Sequence, residues 1–117
     1  MDIESIRMYC ISKKDVIECM PFDDKTLVFK VAGKIFALAA LDAYPLRLNL
    51  KCDPEKAIEL RERFESVRPG YHSNKKHWNT IKVNGEIPKE ALYELIDHSY
   101  NLVIAKLTKK VREKYLL

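Results

Sequence analysis

Several stretches of this sequence carry residue types that could do chemistry. Asp97-His98-Ser99 holds the three side chains of a nucleophilic relay. Neighbours on one helix point about 100° apart, so these three cannot form a hydrogen-bonded chain. Ser99 falls on an apolar stripe, where a small side chain lets a helix approach a sheet, and the Tyr100 hydroxyl needs a buried partner. His72 and His77 stand five apart with no Asp, Glu or Cys between them. A metal centre would need further ligands, such as His98 or Cys52, and nothing in the spacing demands one. Lys30-Val31-Ala32-Gly33-Lys34 lacks the G-x-x-x-x-G-K-[ST] spacing of a phosphate-binding loop. Its place in a hairpin also differs from the strand-to-helix site of such loops, and Gly33 suits a turn at positive φ.

The segment from Arg68 to Lys82 is the best candidate for binding. It contains Arg68, Lys75, Lys76 and Lys82 and no Asp or Glu, interleaved with Tyr71, His72, Asn74, His77 and Trp78. Lysines neutralise phosphates, while flat rings stack on bases or pack on sugars. The plainer alternative is a solvated loop, with Tyr71 and Trp78 anchored in the core and the lysines facing water.

The elements that must position these residues follow from periodicity. Residues 2–11 place Ile3, Ile6 and Cys10 on one helical face. Val16 to Phe22 reads as a packed connector ending near Pro21. Thr26–Val31 and Lys34–Leu41 flank Ala32-Gly33 as a hairpin. Leu46, Leu48, Leu50 and Cys52 alternate with Arg47, Asn49 and Lys51, a half-buried strand with a basic outer face. Asp53-Pro54 starts a second helix, expected to end near Ser66. Trp78–Val83 alternates as a strand, with Trp78, Thr80 and Lys82 on one side. A last helix begins at Pro88, with a stripe of Leu92, Leu95, Ile96, Ser99, Leu102, Val103 and Leu107, and runs to about Tyr115. The order α-β-β-β-α-β-β-α predicts an α+β two-layer sandwich, an antiparallel sheet with helices on one face.

The chain has 117 residues, 47% of them hydrophobic, which suits a single domain over 1–117 and excludes wholesale disorder. Its net charge of +4 is mild. That small sum hides a pattern. Segments 25–52, 67–82 and 106–117 each carry +4, while 1–24, 53–66 and 83–105 are net acidic. The strands are basic while the first two helices and most of the third are acidic, so a sheet face left open by the helices is a candidate positive surface. Lys106, Lys109, Lys110, Arg112 and Lys114 also complement a helix C-terminus. Cys10, Cys19 and Cys52 form no C-x-x-C pair and read as reduced thiols. With no apolar signal core at the N-terminus and no run long enough to span a bilayer, the expected compartment is the cytoplasm.

Four segments occur here in one order: Phe29 to Leu38, Leu48 to Pro54, Pro69 to Thr80 and Leu95 to Tyr100. In them the chain resembles the MmcQ/YjbR-like family of small bacterial proteins. Pro69 to Thr80 is the most specific stretch, although Ser73 stands where the family pattern has methionine. The resemblance implies a compact α+β fold, compared with type III secretion chaperones and frataxin-like domains, and DNA binding in a double-wing manner. It brings no established catalytic activity. The expectation is therefore a non-enzymatic binding domain that contacts DNA through residues 68–82. It needs no cofactor, metal or membrane, and is a monomer or weak homodimer. The alternative is a protein-interaction or chaperone-like module that uses the sheet face or an edge strand. A small enzyme would need a deep pocket gathering His72, His77, Tyr100 and an acid.

Overall fold

The hairpin signal at Ala32-Gly33 organises the sheet. In the computed structural model, which describes residues 2–70 and 74–117, β2 (Thr26–Val31) and β3 (Lys34–Ala40) pair antiparallel. Ala32 and Gly33 both take positive φ, 50° and 79°, the conformation that a tight two-residue hairpin requires. β4 (Arg47–Lys51) pairs with β3, and β6 (Trp78–Lys82) with β4. The six strands lie in the order β1-β2-β3-β4-β6-β5, with every pairing antiparallel.

The α+β class is as expected, and two elements lengthen the expected order. The first is β1 (Val16–Cys19), in the stretch expected to be a connector. Four residues carry too little alternation to declare a strand. They become one because β2 offers a free edge, from Val16 opposite Val31 to Cys19 opposite Val28. Glu18 then receives Arg7 of α1 (Ile3–Ile11) in a two-pronged ion pair at 2.6 and 2.7 Å. The second addition is a break in the last helix. α3 (Lys89–Ala105) stops at Lys106, and α4 (Lys109–Tyr115) starts afresh with the Thr108 hydroxyl accepting from the Val111 amide at 3.2 Å. Leu107 is buried between them, which a continued helix would not have to achieve by a turn.

α2 (Pro54–Arg63) begins as expected, with the Asp53 carboxylate accepting from the Lys56 amide. It ends three residues before Ser66, because Phe64 turns to extended backbone and packs its ring on the core. The short edge strand β5 (Val67–Pro69) follows at once.

Ile6, Phe29, Phe36, Leu48, Ile81 and Ile96 fill the layer between sheet and helices. Burial of such side chains contributes roughly 1.5–3 kcal/mol each. A register shift beside Phe29 leaves Phe36 without a cross-strand partner. Its ring points into the core, edge-on to Tyr100 at 5.3 Å. The extra residue thus turns an aromatic inward, as bulges do. Tyr9 of α1 stacks on Tyr93 of α3 at 3.9 Å, and its hydroxyl donates to Asp97 at 2.7 Å.

Candidate nucleic-acid interface

The basic, acid-free segment is built as a braced turn followed by a strand. The Asn74 side chain accepts from the Lys76 amide at 2.9 Å, and its carbonyl accepts from the amides of His77 and Trp78. Asn74 therefore shapes the turn, a local role that asparagine favours. The His77 carbonyl accepts from the Cys52 amide at 2.7 Å, which ties the turn to the end of β4. Arg61 of α2 donates to the Asn79 side chain at 2.7 Å and to the carbonyls of Lys75 and Trp78. The Gly70 amide donates to the Trp78 carbonyl at 2.8 Å, and a Cβ on Gly70 would lie 2.7 Å from that of Trp78. Only glycine permits this approach of the two chains.

This bracing leaves Lys75 and Lys76 exposed at the tip, with His77 and Trp78 half-buried. Trp78 is half-buried and Lys82 exposed, whereas Asn79 and Ile81 are buried in the core. Thr80, on the same side of the strand as Trp78 and Lys82, is itself only 7% exposed, its hydroxyl bonded to the Asn49 side chain. Their cross-strand partners are Lys51, Asn49 and Arg47. Arg68 on β5 lies opposite Thr80 and is exposed. Arg68 and Lys82 thus share the open face with Arg47, and the turn lysines stand at its end. Trp78 and Lys82 are four steps apart along β6, about 13 Å at the rise of a strand. That is the span of several phosphates along a nucleic-acid strand.

Of the candidate residues, Arg68, Asn74, Lys75, Lys76, His77, Trp78 and Lys82 fall on this ridge. Tyr71 and His72 lie outside the described residues. The expected positive face is also narrower than the whole sheet. Asp23 and Asp42 line the groove beside Arg47 over β2–β4, so the cationic half is the β4–β6–β5 side. Two positioning residues escaped the sequence reading. Arg61 looks like one more solvated helix charge, and Gly70 like a linker residue. Only the geometry reveals their contacts.

The remaining chemistry-bearing residues are dispersed. Asp97 engages Tyr9 and Lys13, His98 accepts from the Asp53 amide at 3.1 Å, and the Ser99 hydroxyl donates to the Phe36 carbonyl at 2.5 Å. The three neighbours point to three partners, as helical geometry demands. Tyr100 places its hydroxyl on the Lys14 carbonyl at 2.6 Å. Burial pushes the Cys10 thiol up to about 12 and the Cys52 thiol up to about 11, so both stay protonated at neutral pH. Among the described residues, no three His, Cys, Asp or Glu side chains stand together as metal ligands, and no helix is long and apolar enough to cross a membrane.

Known proteins are similar to this chain in sequence and in fold. YbdF of Escherichia coli O157:H7 is 41% identical over 97 residues, covering 82% of this chain and 79% of the relative. YjbR of Escherichia coli K12 is 32% identical over 113 residues, 97% of this chain and 96% of the relative. The crystal structure of Deinococcus radiodurans protein DR2400, a DUF419 domain, is 44% identical with a TM-score of 0.95, covering 98% of this chain and 88% of that one. A Pseudomonas syringae protein of known crystal structure is 26% identical with a TM-score of 0.75, over 87% of this chain and 98% of that one. The family model described as YjbR matches residues 11–102, so the chain belongs to the YjbR family.

Proposed function

We propose that this chain is a non-enzymatic, cytoplasmic domain that binds nucleic acid along the ridge from Lys75 to Lys82. The observation that carries the reading is the braced turn. It holds Lys75 and Lys76 outward beside Trp78, with Arg68 and Lys82 exposed along the same ridge and no acid within the segment. Preset geometry lowers the ordering cost of binding. Phosphate contacts of this kind give affinity with little sequence readout. The test is binding to duplex and single-stranded DNA across a salt series. Lys75→Gln/Lys76→Gln removes two contacts and should reduce the slope of log K against log salt by about 1.8 for duplex. Absence of binding at low salt, or an unchanged slope, refutes the reading.

A second reading is favoured by the opposite edge of the sheet. There Ile17 of the edge strand β1 is 59% exposed and Phe22 64% exposed. Unpaired edges with apolar neighbours recruit another strand, here from a second copy of the chain. A dilution series by sedimentation should then show a dimer that Ile17→Lys abolishes. A monomer at all concentrations removes this reading and leaves the first untouched.

A further inference from the structure

We propose that the end of the fold where β3 begins and α3 stops holds a small phosphate-bearing molecule, with Lys34, Lys51 and Lys106 as its ligands. These three lysines line a pocket of about 350 Å3 together with Ile35, Val103 and Leu107. No residue of the 68–82 segment contributes to the lining, and neither does any Asp or Glu. Among the described residues, none of the three lysines pairs with a carboxylate.

The lysines come from three separate elements. Lys34 is the first residue of β3, Lys51 the last of β4, and Lys106 caps α3. Ser99 locks their relative positions. Its hydroxyl donates to the Phe36 carbonyl on β3 and accepts from the Lys51 amide on β4 at 2.9 Å. The cluster is therefore set by the packed core and not by flexible chain.

The neighbouring ammonium groups of Lys51 and Lys106 repel. The end of α3 offsets only about half an elementary charge, and one cation would suffice for that. Lys34 and Lys51 stand on strands, where no dipole calls for them. Burial, and after it the neighbouring Lys106 ammonium, hold the Lys51 amine below its ordinary range. An anion with more than one charge and several oxygens removes this repulsion and supplies acceptors for the N–H donors. Lysines act as point charges with freely rotating donors, which suits a tetrahedral phosphate. The pocket is larger than a phosphate, and its apolar wall suits the carbon part of a phosphomonoester or diphosphate.

The same phosphate chemistry could be offered by a free small molecule or by a nucleic-acid backbone, and the experiment separates them. Inorganic pyrophosphate and a short DNA duplex are titrated separately at constant ionic strength, with chloride as control. The side-chain NMR signals of the three lysines are followed. Pyrophosphate should shift all three saturably and raise the Lys51 titration midpoint. Lys106→Gln should weaken this binding by about tenfold, the scale of one charge-assisted hydrogen bond. Lys34→Gln, at an exposed position, should do the same and guards against a variant that merely misfolds. Lys75→Gln/Lys76→Gln should leave pyrophosphate binding unchanged, whatever it does to DNA. Shifts that fail to saturate, that chloride reproduces, or that only the duplex produces overturn the proposal.

Discussion

Arg61→Met separates bracing from mere surface charge. The substitution keeps the aliphatic stem and removes the guanidinium that reaches Asn79, Lys75 and Trp78. These acceptors are not equivalent. The Trp78 carbonyl keeps its bond from the Gly70 amide, and the Lys75 carbonyl lies in an exposed turn where water can replace Arg61. Asn79 is only 1% exposed, so its side-chain oxygen would be stranded. A stranded buried acceptor costs about 1–3 kcal/mol, and loss of the charged bond places the expectation at about 2–3 kcal/mol. For a chain of this length about 4 °C of Tm corresponds to each kcal/mol, giving a fall of roughly 8–12 °C. Urea and thermal melts measure the loss. Hydrogen exchange at the His77 and Trp78 amides, which should quicken, locates it. Adding Asn79→Leu removes the stranded acceptor, so the double variant should cost less than the two singles together. A cost for Arg61→Met below about 0.5 kcal/mol, the level of an ordinary surface change, would refute the bracing role.

Three further perturbations probe neighbouring contacts. Gly70→Ala forces a Cβ against Trp78 at 2.7 Å and should destabilise by about 1–3 kcal/mol, read by urea melts; a neutral result would mean that β5 can retreat from β6 at no cost. Burial, and then the Lys56 ammonium, lower the His98 pKa in the fold. A depressed pKa contributes stability above the unfolded value near 6.5, lost as pH falls through the folded value, so His98→Gln should flatten that limb of the stability–pH curve. Burial, and then the hydrogen bond to Asp97, push the Tyr9 phenol up to about 12 from 10.0. A raised pKa contributes stability below the unfolded value, lost between about pH 10 and 12, and Tyr9→Phe should abolish that alkaline loss; an unchanged alkaline limb would show that Tyr9 is not its source.

The sequence alone determined the elements whose pattern is local. Alternation set Leu48 and Leu50 on one face and grouped Trp78, Thr80 and Lys82 on one side of their strand, Asp53-Pro54 announced α2, and helical spacing ruled out a relay at Asp97-His98-Ser99. These follow from backbone geometry and from side-chain period, which each segment carries within itself. The acid-free block at 68–82 was legible for the same reason. Tertiary structure alone decided what depends on partners distant in the chain. Val16–Cys19 became a strand because β2 presented an edge to it. Asn79 required Arg61, eighteen residues earlier, since a buried amide must find its donor somewhere. Gly70 was fixed by the closeness of Trp78. Lys34, Lys51 and Lys106 belong to three segments of the sequence. They meet in one pocket because Ser99 ties α3 to the ends of β3 and β4, and a charge cluster of that kind exists only once the chain has folded.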